Sequence, residues 1–393
     1  MKAGHERIFR GPAVVGLSRA LLLPACLALA AQAQEVPLEF GLHQELILPV
    51  QAEAADGTLR PLRLLLDTGA VSCMLDPRHA KGLTGAQFRP EVAQGFSGAG
   101  RHVLARILHG LRCGTATQAG VPVQVMALDY VNRGLDRPVD GVIGLSFLAG
   151  RRFTLDPGRR VLTWEPEPVK GRTVALAPRT GDLRPWATLR VGSVETQALL
   201  DTGCTAALVL PRELAGSSFL PGCDVVSGVD GMRTITEARV RVEAFGETFP
   251  RRRAIIGGGQ VILGLPFFLA GPVTFDLRAG RLTLVPNPDG HLPRPSLAEE
   301  GAHRLPIGWN RRGAIPYLDV DPLPACHPWY QAGFRDGDRI LAADQLEGAS
   351  LTLAALDGWL RTGRILDWKV QRGRAIVTLR NPSEDPRLEP LDR

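Results

Sequence analysis

The pentapeptide Leu65-Leu66-Asp67-Thr68-Gly69 returns in the second part of the chain as Leu199-Leu200-Asp201-Thr202-Gly203, at an offset of 134. Three more matches follow in the same order at a common offset of 120. Val142-Ile143-Gly144-Leu145-Ser146-Phe147 answers Ile262-Leu263-Gly264-Leu265-Pro266-Phe267, Thr154-Leu155-Asp156 answers Thr274-Phe275-Asp276, and Leu162-Thr163 answers Leu282-Thr283. Ordered matches of this kind mark two copies of one structural unit. The change of offset means that the first copy carries about 14 extra residues in its middle. Any fold for this chain must therefore use one design twice and set the two Asp-Thr-Gly turns in equivalent places.

Each copy reads as strands. Short apolar runs lie between frequent glycines and prolines, 44 and 31 in 393 residues, which favours turns and sheets over long helices. The expected fold class is all-β. Glycine-rich hairpin tips occur once per copy, at Gly95-Phe96-Ser97-Gly98-Ala99-Gly100 and at Ser227-Gly228-Val229-Asp230-Gly231. Glycines there allow positive φ and a mobile hairpin over a site.

On these motifs the chain as far as Gly290 resembles the pepsin and retropepsin superfamily, in which an Asp-Thr-Gly loop, a flap and an apolar-apolar-Gly segment recur once per lobe. The resemblance implies a bilobed pair of β-barrels and a cleft for an extended peptide. It implies Asp67 and Asp201 as catalytic residues, supported by Thr68, Gly69, Thr202 and Gly203, with Ile143-Gly144 and Leu263-Gly264 crossing behind them. Ser97, Gly98, Gly100, Gly228 and Gly231 become flap residues. Two departures stand out: no tyrosine occupies a hairpin tip, and Ala70 and Cys204 follow the motifs where pepsins usually carry a hydroxyl.

Two carboxyl groups held together cannot both ionise easily, so they share a proton, one acting as base toward water and the other as acid. Such a pair needs no cofactor. Asp-Gly turns are common on protein surfaces, but here both follow leucine runs that bury them. Asp156 and Asp276 are duplicated too, yet each precedes turn residues and reads as a hairpin aspartate. The rival to an aspartic endopeptidase is a non-catalytic peptide-binding scaffold with a degenerate peptidase fold, to which the missing hydroxyls belong.

The segment from Pro286 to Pro306 is proline-rich and polar and reads as a linker. Beyond it, Ala332-Gly333-Phe334-Arg335-Asp336-Gly337-Asp338-Arg339-Ile340-Leu341 resembles the helix-to-strand segment of bacterial PDZ domains, a small α+β fold. The resemblance implies a carboxylate-binding loop at Ile307, Gly308 and Trp309 and a groove helix from Leu353 to Leu360, which would recruit protein C-termini. The alternative is a small domain that only packs on the peptidase. The cleft is expected to be complete without it.

Domain limits follow: a leader at residues 1–33, lobes at 34–168 and 169–288, a linker at 289–305 and the PDZ-like domain at 306–383. The leader has Lys2, Arg7, Arg10 and Arg19, an apolar stretch from Ala20 to Ala31 and the small-residue pattern Ala31-Gln32-Ala33, the features of a secretory signal peptide. Periplasmic or secreted localisation is expected, with a lipoprotein site at Cys26 as the alternative. The apolar stretch is too short for a transmembrane span. Removing the leader lowers the formal charge from +6 to +3, and no basic cluster argues for nucleic acid. Five cysteines remain, so at least one thiol lies outside any intrachain disulfide. No metal-ligand spacing appears. Polypeptide substrates are the expected partners, and both half-sites in one chain predict an active monomer.

Overall fold

The computed structural model describes residues 35–85, 89–95, 100–167, 169–177, 179–217, 219–220, 223–229, 231–294, 305–362 and 364–382. The leader, the tip of the first flap with Ser97 and Gly98, and most of the linker lie outside the described residues.

The two copies fold as two closed six-stranded β-barrels. In the first, Leu46–Glu53 pairs with Leu59–Leu66, which runs parallel to Gly141–Ile143. The order continues through Cys73–Leu75, Ala116–Val125 and Gly100–Cys113, which closes back on Leu46–Glu53 at Gln51 and Arg112. The second barrel repeats this with Trp186–Val191, Val194–Asp201, Val261–Gly264, Leu208–Leu210, Glu247–Ile256 and Gly231–Ala244, closing at Leu189 and Ala244. Alternation sends Leu46, Leu48, Val50 and Ala52 inward and leaves Pro49, Gln51 and Glu53 exposed, the pattern of a strand with one buried face.

A third, six-stranded sheet joins the lobes: Glu35–Pro37, Val161–Trp164, Arg152–Asp156, Val273–Asp276, Arg281–Leu284 and Arg172–Ala175. Its central pair aligns Thr154 with Thr274, whose hydroxyls meet at 2.7 Å. A pseudo-two-fold axis runs between them. Phe153 stacks on Phe275 with centroids 5.2 Å apart, so the lobes share one hydrophobic core. Asp156 and Asp276 accept from Arg159 N and Ala279 N within their hairpin turns.

The repeat's asymmetry has a definite place. One offset still carries Ala116–Val125 onto Glu247–Ile256, whereas a shorter one, smaller by eleven, carries Gly141–Ile143 onto the start of Val261–Gly264. Eleven of the extra residues of the first copy therefore fall between Val125 and Gly141. They form a loop with a one-turn helix, Asp129–Asn132, and the buried Asn132 amide braces it by exchanging hydrogen bonds with the backbone of Val139.

Residues 305–382 form an α+β domain. Its sheet runs Ile307–Asn310, Tyr317–Val320, Arg339–Ala343, Asp367–Arg372 and Ala375–Arg380, with Leu346–Glu347 beside the third strand. The core is aromatic, with Trp329, Phe334 and Trp368 in edge or tilted contact. The second acidic residue of the Asp-Gly-Asp segment has a structural reason: buried Asp338 takes both Arg372 Nε at 2.7 Å and Arg372 Nη2 at 2.6 Å. Among the described residues no helix is long and apolar enough to cross a membrane.

This domain is stitched to both lobes. A disulfide joins Cys223 to Cys326, and the neighbouring His327 is fully buried with Nε2 at 3.5 Å from Asp224 Oδ1. Cys73 and Cys113 are buried thiols. Because the disulfide spans 103 residues, loop-closure entropy assigns it about 4 to 5 kcal/mol. Cys326→Ser should lower the urea midpoint accordingly, and reductant should do the same to the native protein but not to the variant.

Candidate active site

The Asp-Thr-Gly turns meet at the pseudo-two-fold axis. Thr68 N donates to Thr202 Oγ1 and Thr202 N to Thr68 Oγ1, both at 3.0 Å. Each hydroxyl then donates across to the other lobe, Thr68 to Leu200 O at 2.7 Å and Thr202 to Leu66 O at 3.0 Å. Both threonines are completely buried, so every polar atom of the pair needs a partner, and each finds it on the opposite lobe.

Glycine follows for a steric reason. A Cβ on Gly69 would fall 2.5 Å from Asp201 Oδ2, and one on Gly203 would fall 2.6 Å from Asp67 Oδ2. The missing side chains are the space in which each carboxylate reaches the other. Asp67 Oδ1 accepts from Gly69 N and Ala70 N at 2.8 Å each, while Asp201 Oδ1 accepts from Gly203 N at 2.8 Å and Cys204 N at 3.2 Å.

The apolar-apolar-Gly segments lie behind. Leu64–Leu66 runs parallel to Gly141–Ile143 and Ala198–Asp201 to Val261–Gly264. Leu145 N donates to Ala70 O and Leu265 N to Cys204 O. A Cβ at Gly144 would lie 2.6 Å from Ser72 O, and one at Gly264 2.7 Å from Cys204 O, so only glycine permits these crossings.

Burial, the negative charge of Asp201 and a hydrogen bond to it push the Asp67 carboxyl well above the usual carboxylate range. Burial also raises Asp201, opposed by the N–H groups of Gly203 and Cys204, by Asp67 and by the charge of Arg184. The two titrate as one unit, and that unit keeps a proton to higher pH than an ordinary aspartate. Cys204 supplies its backbone N–H, and its thiol lies 3.6 Å from Ala206 O.

Above the dyad lies a cleft of about 310 Å³. Hairpins flank it at equivalent positions of the lobes, Arg89–Gln94 with Gly100–Cys113 and Asp224–Gly228 with Gly231–Ala244. In the second, Gly228 pairs with Gly231, whose φ of 98° demands glycine; Gly228 and Val229 line the cleft. Gly100 begins its strand opposite Gln94.

Two features escape the sequence motifs. Tyr130, on the inserted loop, lines the cleft and points its hydroxyl at Met74 Sδ, 3.6 Å away; burial raises its pKa, helped by the charge of Asp67. The only sign of it in the sequence is the extra length of the first copy. Second, the C-terminal domain lines the cleft through Leu305, Pro306, Ile307, Asp321 and Leu353. The expectation of a cleft complete without that domain is thereby corrected.

The expected carboxylate-binding residues are also otherwise engaged. Ile307 is buried. Gly308 lies so near Arg133 that a Cβ would come within 2.9 Å of its Cβ. Trp309 N donates to Arg133 O at 2.9 Å, and its indole Nε1 donates to Asp136 Oδ1 at 2.8 Å. A carboxylate does sit there, and it belongs to the first lobe. Among the described residues no group of three or more His, Cys, Asp or Glu could hold a metal ion.

The model of a family described as "Aspartyl protease" matches residues 50–147, most of the first lobe. No curated protein matches the sequence. A solved structure of an aspartic proteinase from Irpex lacteus aligns with a TM-score of 0.42 at 13% identity, covering 64% of this chain and 96% of that one.

The raised carboxyl of Asp67 has a stability consequence. A folded-state pKa above the unfolded value near 3.9 costs stability as pH rises from the unfolded to the folded value. Asp67→Asn, which removes the buried ionisation, should melt at least as high as the native protein at pH 7 to 8. The advantage should vanish below about pH 4, where both states of the native protein are protonated. Melting curves across pH read this directly; a variant less stable at pH 8 than at pH 4, relative to the native protein, contradicts it.

Proposed function

We propose that this chain is an exported aspartic endopeptidase that hydrolyses peptide bonds with a water activated by the Asp67/Asp201 pair. The observation that carries the reading is the mutual approach of the two carboxylates across the axis, which Gly69 and Gly203 make possible. In each carboxylate Oδ1 is occupied by backbone N–H groups, which leaves Oδ2 for chemistry.

In the first step the ionised carboxylate takes a proton from water as the water oxygen bonds to the peptide carbonyl carbon, and the protonated partner gives its proton to the carbonyl oxygen. Collapse of the tetrahedral intermediate breaks the C–N bond, and the nitrogen leaves with a proton returned through the pair. The half-buried cleft floor and the hairpins limit competing water. The leader supports export, and the Cys223–Cys326 disulfide fits an oxidising compartment. Both half-sites in one chain support activity as a monomer. Recruitment of protein C-termini through Ile307, Gly308 and Trp309 would require Asp136 to yield its place.

The test is turnover of a mixed peptide library by purified mature protein, with and without a statine-type inhibitor. Asp67→Asn and Asp201→Asn should each reduce kcat by at least about 10³-fold, since the general base and the general acid are each worth 10² to 10⁴, while the fold persists. Substantial turnover by either variant sinks the mechanism.

The same arrangement fixes the pH dependence. The active form is the singly protonated pair, and neither Ala70 nor Cys204 offers a hydroxyl to its charged state. With Asp67 held above the ordinary range, kcat/KM should peak in weakly acidic to neutral solution. A peak in strong acid would refute this.

A further inference from the structure

The loop inserted between Val125 and Gly141, which breaks the internal repeat, is the part of the first lobe that the C-terminal domain grips. We propose that this grip makes the C-terminal domain a specificity-determining wall of the substrate cleft, with Asp136 and Arg311 as the positioning residues that hold it. The proposal rests on the peptidase reading above.

Three independent contacts converge on the loop. Asp136 reaches the start of the helix Leu353–Leu360, where the first N–H groups lack partners within the helix. Its Oδ1 accepts from Leu353 N at 2.9 Å as well as from Trp309, and its Oδ2 accepts from Ala354 N at 3.0 Å. Thr352 Oγ1 takes the next N–H, from Ala355, at 3.2 Å. The helix start is thus capped jointly by its own threonine and by a carboxylate 217 residues away, charge-assisted and aligned with the helix dipole.

The second contact is Arg311, whose guanidinium donates to Leu135 O at 2.6 Å, Asp136 O at 3.0 Å and Asn132 O. One cation thereby ties three carbonyls of the loop, which fixes the backbone and not merely one side chain. The third runs the other way: Arg133 of the loop donates to Asp319 at 2.7 Å and to Asp321 at 2.8 Å. Arg133 and Asp321 both line the cleft, so this stretch of wall presents charges already paired.

Beside these paired charges the wall presents apolar groups. Leu42, Val131, Leu305, Pro306, Ile307 and Leu353 line the cleft from the first lobe and the C-terminal domain together, and Leu42 packs on the C-terminal domain's core. The chemistry fits an apolar side chain of a peptide. Because the second lobe has no counterpart to the inserted loop, the wall gives an otherwise symmetric cleft a direction.

A positioning role predicts a split that loss of fold does not. Asp136→Ala and Arg311→Met should each raise KM for apolar peptides by about tenfold or more, the loss expected from charge-assisted hydrogen bonds, with kcat within about twofold and the pH profile unchanged. Asp136→Asn, which keeps one acceptor oxygen, should fall between. Melting curves identify any variant that has merely unfolded, and Arg311→Met then carries the test. Calorimetric affinity for a statine-containing apolar peptide should weaken by the same factor, and this readout needs no turnover. A native protein without activity whose affinity drops in Asp136→Ala would refute the peptidase reading and leave the wall standing. Unchanged KM and affinity in both Asp136→Ala and Arg311→Met would overturn the proposal, as would a fall in kcat with a displaced pH profile.

Discussion

The structure hangs on four hydrogen bonds made by two threonines. Thr68 and Thr202 are wholly buried, and each lobe's turn is completed only by groups of the other: two N–H donors meet two hydroxyls, and the hydroxyls meet the carbonyls of Leu66 and Leu200. A buried donor or acceptor left unmade costs on the order of 1 to 3 kcal/mol. Sliding one lobe on the other would therefore break all four at once. That reciprocity fixes the distance across the axis, and the distance in turn demands glycine at 69 and 203.

Symmetry ends above the paired aspartates. The Thr154–Thr274 contact and the stacked Phe153 and Phe275 continue the axis below the site, while above it the inserted loop, which has no counterpart in the second lobe, and the C-terminal domain break it. The disulfide and His327 bind the same domain to the base of the second lobe's flap strand, Asp224–Gly228. A domain attached to both lobes limits how far the cleft can open, and the loop it grips lines the cleft beside the paired aspartates.

The lobes were legible in the sequence because a site on an axis forces equivalent residues into equivalent places. Glycines 69, 144, 203 and 264 each have a contact that excludes a side chain, so the repeat survives where other positions drift. The location of the C-terminal domain was not legible. Its contacts join residues such as Asp136 and Leu353, or Arg133 and Asp321, with no periodicity and no shared motif, because complementarity between two surfaces leaves no local pattern. Gly308 illustrates the difficulty. It reads as part of a carboxylate-binding loop, whereas its place is on a strand that passes close to Arg133. The one available clue was the extra length of the first copy, which marks the loop without naming what it meets.

The aspartates themselves are not equivalent, though the motifs around them are. Both direct Oδ1 at backbone N–H groups, but Ala70 N approaches Asp67 at 2.8 Å and Cys204 N approaches Asp201 at 3.2 Å. On that contact alone Asp67 would be the better anion. The wider environment works against that contact: burial raises both carboxyls, and the charge of Arg184, which lines the cleft, favours ionisation of Asp201. Because the two titrate as one unit, the proton they share belongs to the pair. In perfectly symmetric surroundings it would have no preferred owner. The surroundings are not symmetric: Trp186 pairs with Leu199 and Ile47 with Leu65, so the place that Arg184 holds in the second copy is Glu45 in the first. The pair therefore sits between a positively charged neighbour, Arg184, on the second lobe and an acidic one, Glu45, on the first, the lobe whose inserted loop the C-terminal domain holds.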